Sequence, residues 1–420
     1  MTDKESWDWE PGEKKIPLAG WSDEFTWVEE PQASPDGEKV AAIVNVDEGE
    51  FKVCVNGSTW EETFEKIWYL RFSPDNRLTA IVADVGEWTL AVDGVPWENT
   101  FDYLWNTQFS RDGKKIAAAV QTEMTYCMAV DGVPWEERYG NMNNFAFSSD
   151  GSAAAASVQV EKFDEAEIEK FQQGAFTAAL NGKAWDSRFV NVWNMAISDD
   201  GQKLAAEVRT NLYEYTIAVN GTCWDKTYTC IWEPVFNPLT GAVLAAVRVD
   251  GKWTLAVDGN LLWDRKFIQL WHQTFSPDGN KIAAIVAPVF GKWTVAVDQV
   301  PWTVTFNDLV DDIVFSRDSK RIAALGKNGS DWHVVVDGAR WQNSFDMAWQ
   351  PVFSPQGETV AVRVEKNGKY TFAINDSLWD RECDALWDPV FSPGGDKLLV
   401  RSVEDGNYYR RVVPVAQVAR

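Results

Sequence analysis

Histidine, cysteine and carboxylate side chains carry most protein chemistry, and in this chain of 420 residues they are spaced so as not to meet. His272 and His333 each sit beside a tryptophan, with no cysteine or second histidine at ligand spacing, which argues against zinc. The five cysteines, Cys54, Cys127, Cys223, Cys230 and Cys383, form no C-x-x-C pair and no disulfide framework. Cys223 and Cys230 flank one expected strand, where a separation of seven residues puts them on opposite faces. Nothing has the form of a nucleophile elbow, a P-loop or a Rossmann glycine run. The expectation is a protein that is not an enzyme, with no catalytic residue, no bound cofactor and no metal. One carboxylate pattern does recur: Glu61, Glu98, Glu136, Asp186, Asp225, Asp264 and Asp380 each follow a tryptophan. Coming from different repeats and without an EF-hand loop, they read as solvated positions beside a turn, or as a negative rim that steers a basic partner.

The remaining chemistry on offer is aromatic, since 24 residues are tryptophan. Ten of them recur: Trp21, Trp60, Trp97, Trp135, Trp185, Trp224, Trp263, Trp302, Trp341 and Trp379, at gaps of 39, 37, 38, 50, 39, 39, 39, 39 and 38. A residue present in every repeat serves the repeat, so these read as core. A second tryptophan follows eight residues later in seven units, as Trp68, Trp105, Trp193, Trp232, Trp271, Trp349 and Trp387. These are candidate interaction residues, lining a channel or one rim, because exposed indoles mark interfaces. Electron hopping through them is disfavoured, because oxidising an indole needs a stronger oxidant than low-potential haem or iron–sulfur centres.

The elements that position these residues follow from the period. Each unit of about 38 residues has four pieces. W-x-x-x-aromatic comes first, as in Trp97 to Phe101, and reads as a strand with both rings on one face. A strand ending in a turn such as Phe275-Ser276-Pro277-Asp278-Gly279 follows, then an Ala-rich run such as Ile116 to Val120. The last piece opens on an aromatic (Phe51, Trp88, Tyr126, Phe176, Tyr215, Trp253, Trp293, Trp332, Tyr370 and Tyr409) and usually closes on Asp-Gly or Asn-Gly, a hairpin signal. Ten such units predict an all-β, closed β-propeller of ten four-stranded repeats. The last unit lacks its final strand and the first begins with that strand, at Trp21 to Phe25, so N-terminal pairing with the C-terminal blade would close the ring. Two five-bladed propellers, broken near the long fourth gap, are the alternative.

Two segments depart from the repeat. The span 159–175 carries about twelve extra residues and predicts a helix over 161–173 ending at Gly174, with Phe163, Ile168 and Phe171 as its apolar, candidate docking face. Residues 1–20 form an acidic tail with Trp7 and Trp9, and the propeller is expected over 21–420.

Lys plus Arg number 39 against 63 Asp plus Glu, a net charge of −24, which disfavours nucleic acid and anionic membrane surfaces as partners. No apolar leader opens the chain and no apolar run is long enough to span a bilayer, so the expected location is cytoplasmic, without direct membrane insertion.

The Phe-Ser-Pro-Asp-Gly pieces resemble WD40-like propeller repeats in general. The tryptophan density, with Val-Asp-Gly-Val-Pro-Trp at Val92 to Trp97 and Val130 to Trp135, is similar to the TmcD family, the tryptophan-rich subunits of the Tmc transmembrane redox complex of sulfate-reducing bacteria. That resemblance implies a non-catalytic scaffold subunit of a membrane-associated electron-transfer complex. It would dock on the cytoplasmic side, peripheral to the inner membrane, against cytochrome or iron–sulfur subunits. The alternative function is a ligand- or glycan-binding propeller that uses Trp stacking, through Trp271 or Trp349.

Overall fold

In the computed structural model, which describes residues 4–164 and 167–418, each repeat is one antiparallel sheet. Ten such sheets are present among the described residues, and in nine of them the four strands follow chain order, as in propeller blades. The protein is all-β, with few helices. We number the blades in chain order; blade 3 is representative. Its first strand, Tyr103–Phe109, pairs with Ile116–Thr122, then Thr125–Val130, then the two-residue Val133–Pro134. In blades 1, 9 and 10 the first strand is interrupted at Pro31, Pro351 and Pro389, residues that can donate no ladder bond.

Blades 1–6 fall within one compact unit, Thr26–Pro35 with Ala41–Leu262, and blades 7–10 in another, made of residues 4–25, Asp36–Val40 and 263–418. The division therefore lies after Leu262, and not at the long fourth gap where a pair of five-bladed propellers would divide.

The repeated turn residues have specific jobs. In the Asp-Gly hairpins the aspartate is left-handed, as at Asp131 (φ 48°), and its Oδ1 accepts the first N–H of the blade's second strand, 3.0 Å from Ile116 N. Asp93, Asp258 and Asp337 do the same for Leu78, Val243 and Ile322, as does Asp298, which precedes Gln299, for Ile282. The glycine that follows lies against the recurrent tryptophan of the preceding blade. A Cβ on Gly132 would stand 3.0 Å from the Trp97 side chain, and one on Gly338 3.2 Å from Trp302. Tryptophan and glycine recur together because one blade's indole seats the next blade's turn. In the other turn, Ser110 Oγ donates to Asp112 Oδ1 at 2.7 Å, and this hydroxyl, ahead of the Lys114 N–H, holds the Asp112 carboxyl below its usual range. The Ala-rich runs are the second strands; Ala117, Ala118 and Ala119 are fully buried where one core continues from blade to blade.

The W-x-x-x-aromatic piece is not the strand expected. Trp97 N–H bonds Leu90 O, while Phe101 and Trp88 exchange both backbone bonds. Four residue steps on one side thus face two on the other, so the segment must bow outward, and the fourth strand is instead the short pair before the tryptophan.

The N-terminal strand does complete the last blade: Gly12–Pro17 pairs with Asn407–Pro414, from Gly12 opposite Val412 to Pro17 opposite Asn407. It lies within the segment expected as a tail, upstream of the predicted Trp21 to Phe25. Pro17 ends the ladder, Leu18 and Ala19 N–H groups bond Gly406 O, and Ala19–Glu24 turns into a short helix that buries Trp21. Arg411, almost fully buried, holds Glu13 of the arriving strand at 2.5 Å and donates to Glu404 and Ser402. Tyr408 donates to Gly37 O at 2.8 Å, and Arg410 to Asp36 O at 2.9 Å.

The insertion joins the second and third strands of blade 4. Its helix is shorter than expected, Ile168–Gly174, so Phe163 lies outside it, while residues 165 and 166 are not among those described. Phe163 and Phe171 still meet, ring centroids 5.7 Å apart, whereas Ile168 is exposed.

Candidate interaction site on the first strands

Each second tryptophan lies in, or just after, a first strand and packs on the aromatic that opens the third strand of its own blade. Trp68 meets Trp88 at 4.6 Å, Trp105 meets Tyr126 at 6.1 Å and Trp193 meets Tyr215 at 6.1 Å. Trp232 stacks on Trp253 at 3.9 Å, Trp271 packs on Trp293 at 4.5 Å and Trp349 on Tyr370 at 5.7 Å. In blade 10 Trp387 meets Tyr408, one residue before the expected Tyr409, because Ala385 pairs with Val403 and Val403 with Tyr408. Each of these indoles thus has a ring contact within its blade, and of the seven only Trp68 is exposed; the others are half-buried.

The residue after this position sits in a β-bulge. In blade 3 the register shifts between Trp105 and Gln108, and Asn106 has φ 50°. Tyr69, Asn144, Asn194, Glu233, His272 and Asp312 are also left-handed. For side chains such as Tyr69 and His272 that backbone costs about 1 kcal/mol each, and the bulge re-aims them out of the sheet.

Blade 1 carries a ring pair, and blades 2–4 a chain of rings, that the tryptophan period alone did not reveal. Trp27 meets Phe51 at 6.4 Å; Trp88, under Trp68, meets Tyr103 at 5.6 Å; Tyr103 meets Trp105 at 5.7 Å, and Trp105 meets Phe145 at 6.0 Å. Trp27 (49% exposed), Trp68 (48%), Tyr69 (59%) and Tyr103 (40%) face solvent. Trp27 and Tyr103 lie off the repeat of tryptophans, and Tyr69 is legible only once the bulge is known. Between blades 1 and 2 a cleft of about 480 Å³ is lined by Trp27, Glu29, Ile43, Phe51, Glu65, Lys66, Ile67 and Trp68. Burial, then the neighbouring Glu30 charge, raises the Glu29 carboxyl above its usual range.

In blades 5, 8 and 9 this position or the one opposite it is polar. Asp311 stands at the tryptophan position of blade 8, one residue later in count, and Gln350 Nε2 donates to Asp312 Oδ1 at 3.4 Å. Burial, then Asp311, raises Asp312. In blade 9 Arg363, opposite Trp349, lies 4.2 Å from its ring and 3.1 Å from Asp388. In blade 5 Glu207 opposes Trp193; burial pushes its carboxyl up to about 7, offset in part by the Asn194 amide at 2.8 Å.

The seven carboxylates that follow the recurrent tryptophans are all exposed. Among the described residues none of the five cysteines is in a disulfide, and burial, then Glu404, pushes Cys383 up to about 12. His333 is buried beside Phe306, its pKa lowered chiefly by desolvation. Among the described residues no group of three or more His, Cys, Asp or Glu is placed to hold a metal, and no helix is long and apolar enough to cross a membrane.

No family model matches this chain, and neither does any curated protein. A crystal structure of a eukaryotic initiation factor is similar over 82% of this chain and 92% of its own, at 12% identity and a TM-score of 0.45. Likeness at that level carries nothing about function.

Proposed function

We propose that this chain is a non-catalytic interaction subunit whose docking surface is the first-strand face of blades 1–3. The observation that carries this reading is the group of aromatic residues on the first strands of blades 1–3, of which Trp27, Trp68, Tyr69 and Tyr103 remain exposed. Aromatic side chains bring large contact area at small entropic cost and concentrate at the centres of protein interfaces. The exposed carboxylates and the net charge of −24 favour a basic partner through steering. The resemblance to the TmcD family supports a finer reading, in which the partners are cytochrome or iron–sulfur subunits of a membrane complex on its cytoplasmic side. Affinity purification of the tagged chain from its solubilised membranes, with a haem spectrum and subunit identification, tests this. Haem or iron–sulfur subunits in fixed ratio are expected; a chain that emerges colourless and alone overturns it.

A glycan-binding reading would use free indole faces. Trp271 is half-buried and the Trp349 ring is covered by Arg363, so sugar stacking falls to the more exposed Trp27 and Trp68. Neutral oligosaccharide binding lost in Trp68→Ala would favour that reading.

A further inference from the structure

The cleft between blades 1 and 2 has a counterpart between blades 9 and 10, and the two differ in what fills them. Backbone bonds fix the correspondence: Glu29 N–H bonds Ile43 O as Trp349 N–H bonds Arg363 O, so Glu29 stands for Trp349 and Ile43 for Arg363. Phe51 corresponds to Tyr370, each opening a third strand, and Ile67 and Trp68 correspond to Leu386 and Trp387. Between blades 9 and 10 the space is occupied by the Arg363 guanidinium. It lies on the Trp349 ring at 4.2 Å, pairs with Asp388 at 3.1 Å and donates to Leu386 O at 2.7 Å. Between blades 1 and 2 the arginine is replaced by Ile43 and the tryptophan by the shorter Glu29, which leaves the space open. Its walls keep the features that suit a guanidinium. Trp27 and Trp68 line it, together with the acidic residues Glu29 and Glu65. Lys66 also lines it, but its ammonium is drawn over Trp88, 5.7 Å from that ring.

This protein repeatedly sets a cation on an aromatic face: Arg209 on Tyr215, Lys327 on Trp332, Arg411 on Tyr409. Among the described residues, none of the cations so placed lies over Trp27 or Trp68. We infer that the cleft of blades 1 and 2 receives an arginine side chain of a basic protein partner. The partner's guanidinium would take the place that Arg363 fills internally, stacked on indole and paired with Glu29 or Glu65. Arginine is favoured over lysine because its planar group stacks on a ring while donating in plane to a carboxylate. The inference rests on the interaction-subunit reading and names the chemistry of its contact.

The test titrates the full chain with acetyl-Gly-Arg-Arg-Arg-Gly-amide, and with the same peptide carrying citrulline or lysine, by calorimetry and tryptophan fluorescence. Citrulline keeps the shape and loses the charge. The arginine peptide is expected to bind about tenfold tighter than the citrulline peptide and several-fold tighter than the lysine peptide. Trp27→Ala and Glu65→Gln, both surface changes, should each weaken it about fivefold or more. The double substitution Glu29→Trp with Ile43→Arg should abolish binding by refilling the cleft from within, and an unchanged circular dichroism spectrum would show it folded. Equal binding of the arginine and citrulline peptides, or unchanged binding in both Trp27→Ala and Glu65→Gln, overturns the inference. If it falls while a basic subunit still co-purifies, the interaction reading stands; a chain purified without partners overturns that reading even where the peptide binds.

Discussion

The seam of blades 9 and 10 and that of blades 1 and 2 use the same backbone positions to opposite ends. In the first, Trp349 and Arg363 fill the space and the charge finds Asp388; in the second, Glu29 and Ile43 leave it open between indoles. Blade 5 supplies a third version, in which the arginine position holds Glu207, buried with a single amide partner. The difference teaches where specialisation lies in such a repeat. Positions that hold a blade together are repeated, and positions between first and second strands are free to vary, because a strand ladder fixes the backbone whatever side chain it carries.

The largest effect is expected at Glu207. Its folded pKa of about 7 lies above the unfolded value near 4.5, so the folded state holds its proton more tightly and stability falls as pH rises between those values. Glu207→Gln should therefore stabilise the protein by about 3 kcal/mol at pH 8 and change little at pH 4, read from urea denaturation at both pH values. A gain that does not depend on pH would break the third member of the comparison. Next comes Arg363→Ala, which empties the seam of blades 9 and 10 and should cost about 2 kcal/mol through lost stacking and a lost charged hydrogen bond. A cost below about 0.5 kcal/mol in the same denaturation assay would show that the filled seam is no more a structural device than the open one. The shared scaffold should respond equally in both regions. Gly132→Ala in blade 3 and Gly338→Ala in blade 8 each combine positive φ with contact on an indole, and each should cost about 1 kcal/mol, visible as matching falls in denaturation midpoint. Smallest is Trp27→Ala, an exposed ring whose loss should change stability by under about 0.5 kcal/mol while weakening arginine-peptide binding. A larger loss would reassign Trp27 to the core.

Much of the fold was legible because its signals are local. Asp-Gly pairs need left-handed backbone, alternating short apolar runs need sheets, and a period of about 38 residues needs a blade. The recurrent tryptophans were expected as core from their repetition, yet only Trp21, Trp135 and Trp263 are buried and the other seven are half-buried, and their partner, the next blade's turn glycine, was not visible in the spacing. The W-x-x-x-aromatic piece was misread as a strand, since its i, i+4 rings fit one, and only the unequal step count between Trp97–Phe101 and Trp88–Leu90 excludes it. Trp21 likewise matched the repeat and yet lies in a helix, because Pro17 had already ended the closing strand. Of the candidate site, the second tryptophans were visible in the spacing. Trp27, Tyr69 and the cleft beside them were not, since none follows a period.

Local signals were enough to specify an all-β chain of ten blades, acidic and rich in indole, with an N-terminal strand completing the last blade, though at Gly12–Pro17 and not at Trp21 to Phe25. Those properties follow from turn chemistry, alternation and count, which act within a few residues. Which indoles remain open to a partner, and where the space between blades is filled, was set by packing. That depends on which side chains from separate strands arrive at one point, here Ile43 and Glu29 in one seam and Arg363 and Trp349 in the other. Packing between distant segments carries no periodic signature, so it appears only when the strands are side by side.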